Sequence, residues 1–98
     1  MAKWPTKQPW HDGHRMQFDY EDYIMSVVRF TGSYGYKKGL WEVAFMDRDT
    51  RDFVKPPISI LDEEMFTSKF SNDVGIYGHL NDPQVDALHK AMENLECQ

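Results

Sequence analysis

Apolar and polar residues alternate most clearly over residues 23–53. Side chains of an extended chain point to opposite faces in turn, so Ile24, Ser26, Val28 and Phe30 share one side and Tyr23, Met25, Val27 and Arg29 the other. Further on, Trp41, Val43 and Phe45 separate in the same way from Leu40, Glu42, Ala44 and Met46. Gly32, Gly35 and Gly39 lie between the two runs and predict a pair of strands joined by a loop of about eight residues. The second set of each strand contains a charge, which predicts one dry side and one mixed side, the charged sets on the mixed one. Phe53-Val54, after the polar turn Asp47-Arg48-Asp49-Thr50, reads as a third strand ended by Pro56-Pro57, since proline cannot donate to a ladder. Met16-Gln17-Phe18-Asp19-Tyr20 alternates as a short edge strand, guarded by Asp19, Glu21 and Asp22. Ile58-Ser59-Ile60-Leu61 reads as one more short extended piece.

The period then changes. Leu80-Asn81-Asp82-Pro83-Gln84 combines a cap, a proline in the first turn and a glutamine three residues after Asn81. Val85, Leu88, Met92 and Leu95 follow at helical spacing, predicting a helix from about residue 82 to 96 laid on the dry side of the sheet. Asp62-Glu63-Glu64 resembles the acidic first turn of a shorter helix with Leu61, Met65, Phe66 and Phe70 on one face, broken by Ser71-Asn72-Asp73 and Gly75. The predicted fold is α+β: an antiparallel sheet of three to four strands with a C-terminal helix packed on one face, plus a short helix before it. Residues 1–15 hold Pro5, Pro9 and Gly13 with Trp4 and Trp10, and read as an arm that is neither helix nor central strand. Trp4 or Trp10 is expected to lie against the single domain formed by residues 16–98, or to serve as an anchor in a partner's groove.

Composition changes this picture in two ways. With 41% hydrophobic and 14% aromatic residues, the 98-residue chain can bury a modest core, which excludes general disorder. The net charge of −5 is uneven: residues 1–18 carry three cations against Asp12, whereas residues 56–98 carry Lys69 and Lys90 against eight carboxylates. A nucleic-acid-binding domain normally shows the opposite sign over its bulk, so nucleic acid is not the expected partner and a basic protein surface is. No run approaches the roughly 18 apolar residues of a membrane span. The one cysteine, Cys97, forms no disulfide framework and reads as a reduced thiol. The chain is accordingly expected to be cytoplasmic, with no membrane partner; homo-oligomers are allowed.

Candidate chemistry is sparse. His11, Asp12 and His14 could share a divalent ion, but need a third element, such as His79 or Asp73, to complete a site. Ser26 and Ser33 lack the strained elbow that presents a nucleophile, and His89 is expected on the solvent side or flank of the last helix. Gly32, Gly35 and Gly39 match neither phosphate-loop spacing, and the expected cofactor is none. Tyr34, Tyr36, Lys37 and Lys38 form the densest tyrosine and lysine cluster, and tyrosines displayed on a rigid sheet serve protein contacts well.

The segment with Ser26-Val27-Val28, Gly32-Ser33-Tyr34-Gly35 and Gly39-Leu40-Trp41-Glu42-Val43, followed by residues 73–80 and a capped helix, resembles small uncharacterised bacteriophage accessory proteins. The resemblance spans residues 23–96 and brings no catalytic residues with it. It implies a phage protein that binds and inhibits a host or defence protein, as anti-CRISPR and other anti-defence proteins do, without being an enzyme. The expected contact surface is Tyr34, Tyr36, Lys37 and Lys38 with the acidic residues Asp62, Glu63 and Glu64. The alternative is a small enzyme, or a protein that sequesters a ligand or nucleotide, using the His11/His14 arm or the Lys37/Lys38 loop.

Overall fold

Among the described residues, five strands follow one another in space in the order in which they occur in the chain: β1 (Gln8–Trp10), β2 (Gly13–Asp19), β3 (Tyr23–Arg29), β4 (Trp41–Asp47) and β5 (Ile76–Leu80), each neighbouring pair antiparallel. One α-helix among the described residues, α1 (Asp82–Glu96), follows β5. The computed structural model describes residues 4–33, 36–63 and 75–96. The fold is α+β, with five strands where three or four were expected.

The extra strands come from two places. Pro9 does not prevent β1 from forming because β1 is an edge strand, where a missing N–H leaves no gap in the ladder. β5 lacks simple alternation because it contains an irregularity: Trp41 pairs with Leu80 and Val43 with Tyr77, so three residues of β5 span two of β4. His79 takes the extra position with φ of 60°, and both Tyr77 and Leu80 reach the core. Residues 53–54, expected as a strand, make one bridge, Met46 with Phe53. The reason lies in Phe45, whose N–H donates to Gly75 and whose carbonyl accepts from Val54, so β5 and the 52–54 segment share that edge of β4. Gly75 sits at this junction with φ of 81°, and a Cβ there would lie 2.3 Å from the Val54 carbonyl oxygen. The extended piece expected at residues 58–61 is instead a 3-10 turn, Ser59–Asp62, placing Leu61 in the core. The short helix expected after Asp62 lies outside the described residues.

The dry face also differs from the expectation. Register places Met25 opposite Phe45 and Val27 opposite Val43, with Phe18 and Met16 beside them from β2. The set that contains Arg29 is therefore the dry one in β3. Arg29 ends the strand, and its guanidinium lies 4.1 Å from the Trp41 ring centroid at the rim, so its charge need not enter the core. Val85, Leu88 and Met92 of α1 cover this face and are fully buried with Trp41, Val43 and Phe45.

The start of α1 follows its sequence signature. Gln84 N–H donates to Asn81 Oδ1 (2.9 Å), and Asn81 N–H donates to Gln84 Oε1 (2.8 Å), a reciprocal capping box. Leu80 and Val85 flank it, both buried. Asp82 accepts from Trp41 Nε1 at 2.7 Å, tying the helix start to β4.

Candidate functional site

The loop between β3 and β4 begins in a tight turn. Ser33 is buried; its hydroxyl accepts from Phe30 N–H and donates to Phe30 C=O, at 3.0 and 2.7 Å. A 3-10 turn, Tyr36–Lys38, follows and buries none of its residues. Gly39 closes it with φ of 71° and an N–H bond to Tyr36 C=O, while Arg29 donates to the Gly39 carbonyl at 3.0 Å. Tyr36 is 37% exposed, and Lys37 and Lys38 are exposed beside it. Lys7 and Arg29 both lie against the neighbouring Trp41 ring, so four cations gather at this end of the sheet. Tyr34 lies outside the described residues.

The acidic half of the expected surface is on a different connection. Asp62 accepts from Lys55 Nζ at 2.6 Å, an exposed pair that raises the lysine pKa through that hydrogen bond and charge. Glu63 is exposed and Glu64 lies outside the described residues. Burial pushes the nearby Tyr77 phenol up, with Lys55 opposing. The Tyr36–Lys38 turn joins β3 to β4, whereas Asp62 follows the chain leaving the other end of β4.

His11, Asp12 and His14 are placed by the β1–β2 hairpin. His11 takes φ of 54° in its turn and lies between Trp10 and Phe30, with ring centroids 5.1 and 4.9 Å away. Asp12 accepts from the backbone N–H of Thr31 at 2.9 Å and from its hydroxyl, pinning the hairpin to the β3–β4 loop. Among the described residues no three His, Cys, Asp or Glu side chains stand together as metal ligands.

A second constellation was not anticipated. The arm before β1 folds back over α1: Trp4 packs against the core, donates to Asp86 Oδ1 at 3.2 Å and meets Phe18 edge-to-face at 6.2 Å. Asp86 also holds Lys90 at 3.1 Å, and its carboxyl sits below the ordinary range, first because of Lys90 and then Trp4, against the effect of burial. His89, expected toward solvent, is only 9% exposed. Its Nδ1 lies 2.7 Å from the Tyr20 hydroxyl and its Nε2 3.5 Å from Glu93, while its ring lies 4.7 Å from that of Phe18. Glu93 favours the tautomer with the proton on Nε2, so Tyr20 donates to Nδ1. Trp4, Pro5, Gln17, Phe18, Asp19 and His89 line a cleft of about 360 Å³. The sequence held a signal for it: His89 follows Val85 by four residues and precedes Met92 by three, bordering the buried stripe.

No helix among the described residues is long and apolar enough to cross a membrane. The chain matches no protein-family model, and no curated protein or solved structure is similar to it.

Proposed function

We propose that this protein acts by binding another protein, without turnover, and that the Tyr36–Lys38 turn is the principal contact. The observation that carries the reading is Tyr36, a large ring left 37% exposed next to the exposed Lys37 and Lys38 on a turn fixed by Gly39 and Arg29. A ring held in this way presents contact area at little entropic cost, and burying it against a partner gives the kind of anchor that dominates interfaces. Lys37 and Lys38 favour carboxylates around the ring's landing point. Asp62, Glu63 and Glu64 belong to a separate, acidic region that steers a basic part of the same partner, as the charge of the C-terminal half supports. The class of partner we infer, a host or defence protein inhibited by occupation of its surface, rests only on the likeness of the residue 23–96 pattern to small bacteriophage proteins read from the sequence.

The test is capture from host lysate with the wild-type chain and with a Tyr36→Ala, Lys37→Ala, Lys38→Ala variant, followed by titration of the captured partner's activity. The reading expects a partner that the variant loses, and inhibition that reaches its end point at a fixed molar ratio. A partner held equally by the variant, or one converted catalytically by substoichiometric protein, would contradict it.

A further inference from the structure

Among the described residues, the two large apolar side chains left exposed are Tyr36, at 37%, and Phe53, at 52%. They stand at opposite ends of β4. The Tyr36–Lys38 turn leads into Trp41 at one end, and Phe53 pairs with Met46 at the other. Seven residues of extended strand separate the two ends by roughly 20 Å. Both rings are carried on anchored backbone: Gly39 N–H closes the turn at Tyr36, and Val54 N–H, next to Phe53, donates to the Phe45 carbonyl.

The charges around the two rings have opposite signs. At the Tyr36 end stand Lys7, Arg15, Arg29, Lys37 and Lys38. The described carboxylates there are Asp12, Glu42 and Asp82; Asp12 already accepts from Thr31, and Asp82 from the Trp41 indole. None of the five cations forms an ion pair with a described carboxylate. At the Phe53 end stand Asp19, Glu21, Asp22, Asp47, Asp49 and Asp52, against Arg48 and Arg51. The Arg48 guanidinium is turned to the Tyr20 carbonyl at 2.7 Å, and Lys55, two residues past Phe53, is paired with Asp62. One end is thus a ring among cations and the other a ring among carboxylates.

The Tyr36 end calls for an apolar patch rimmed by carboxylates, and the chain carries such a patch itself. Two different surfaces that fit one another make a heterologous contact, in which copies stack in series. A symmetric pairing of either end with itself would set like charges face to face, which costs binding energy.

We propose that copies of this chain associate head to tail, the Tyr36–Lys38 turn of one copy seated against the Phe53 corner of the next. The inference rests on the reading of that turn as a contact surface and adds its regulation. A turn covered by a second copy is closed to another partner, so self-association and partner binding exclude one another.

Sedimentation velocity of the full chain, with a reductant present for Cys97, measures its mass at concentrations up to about 1 mM, where weak contacts form. At 0.1 M salt the Debye length is about 10 Å, which lets facing charges attract while screening the overall charge of −5. There the mass rises with concentration above the 11.6 kDa of one chain, and it rises less at 1 M salt, where that length is about 3 Å. A head variant carries Tyr36→Ala, Lys37→Ala and Lys38→Ala; a tail variant carries Asp49→Asn, Asp52→Asn and Phe53→Ser. All six side chains are exposed, so both variants keep the wild-type melting temperature; if Phe53→Ser lowers it, the two Asp→Asn changes alone make the tail variant. Each variant alone is monomeric. Their equimolar mixture forms a one-to-one dimer that grows no further, because only one intact head and one intact tail remain to meet. A wild type that is monomeric at every concentration, a tail variant that still associates, or a mixture that stays monomeric overturns the proposal. A monomeric chain whose captured partner still requires Tyr36 overturns this inference alone and leaves the proposed function standing.

Discussion

The Tyr20 hydroxyl and His89 Nδ1 lie 2.7 Å apart in the interior, joining the end of β2 to the middle of α1 across 69 positions of sequence. Each polar group is buried, and each satisfies the other. Tyr20→Phe leaves the imidazole nitrogen without that partner and is expected to cost about 1–3 kcal/mol. Replacing both residues with phenylalanine should cost less than the sum of the two single changes, because no unsatisfied group remains. Thermal denaturation of the four proteins measures this coupling; strictly additive changes would contradict the pairing.

The capping box gives a second prediction. Asn81→Ala removes the acceptor for Gln84 N–H and should destabilise the domain by about 1 kcal/mol. Gln84→Ala removes the reciprocal bond, and the two substitutions should be less than additive, since each bond orients the other side chain. Urea unfolding checks both, with the midpoint shifting at constant slope.

These two links differ in how far the sequence reveals them. Helix α1 was legible because its cap, proline, staple and apolar spacing all agree over residues 80–95. The central pair, β3 and β4, was legible from alternation, but alternation alone could not decide which face of β3 was dry. That depended on Arg29 reaching the ring of Trp41, a contact between strands. β5 was missed because its irregularity at His79 breaks the two-residue period. β1 was missed because Pro9 marks a non-strand everywhere except at an edge, and only the finished sheet says where the edge is. The Tyr36–Lys38 turn was visible as composition. The cleft was not, because Trp4 and Asp86 stand 82 positions apart and meet only once the arm has folded over the helix.

Gly75 tests the shared edge of β4. Alanine there would have to hold φ of 81° with its Cβ against the Val54 carbonyl oxygen. The expected cost of Gly75→Ala is roughly 1–3 kcal/mol, from left-handed strain and displacement of the neighbouring backbone. Amide exchange should show faster loss of protection at Phe45, whose N–H donates to Gly75. Unchanged stability and protection would place that junction elsewhere.

Acid should loosen the arm. The folded pKa of Asp86 is depressed below its ordinary 3.8, mainly by Lys90 and then by Trp4, so its contribution is present above that value and is lost as pH falls through the lower folded one. Asp47 behaves in the same direction, held down by the backbone N–H groups of Thr50 and Asp49. Stability should therefore fall on acidification below about pH 4. Asp86→Asn should flatten that fall, and in the wild type the Trp4 indole resonance should move through the same range. A steeper acid dependence in Asp86→Asn would contradict the assignment.

The central claim is that the Tyr36–Lys38 turn is a contact surface for another protein, and the rate constants for the captured partner on immobilised wild type and Tyr36→Ala test it most directly. The side chain is exposed, so the variant should keep the melting temperature of the wild type. The account predicts dissociation faster by about tenfold or more with association nearly unchanged, as expected when a central aromatic anchor is truncated. Association and dissociation rate constants both equal to those of the wild type, in a variant with unchanged stability, would contradict it.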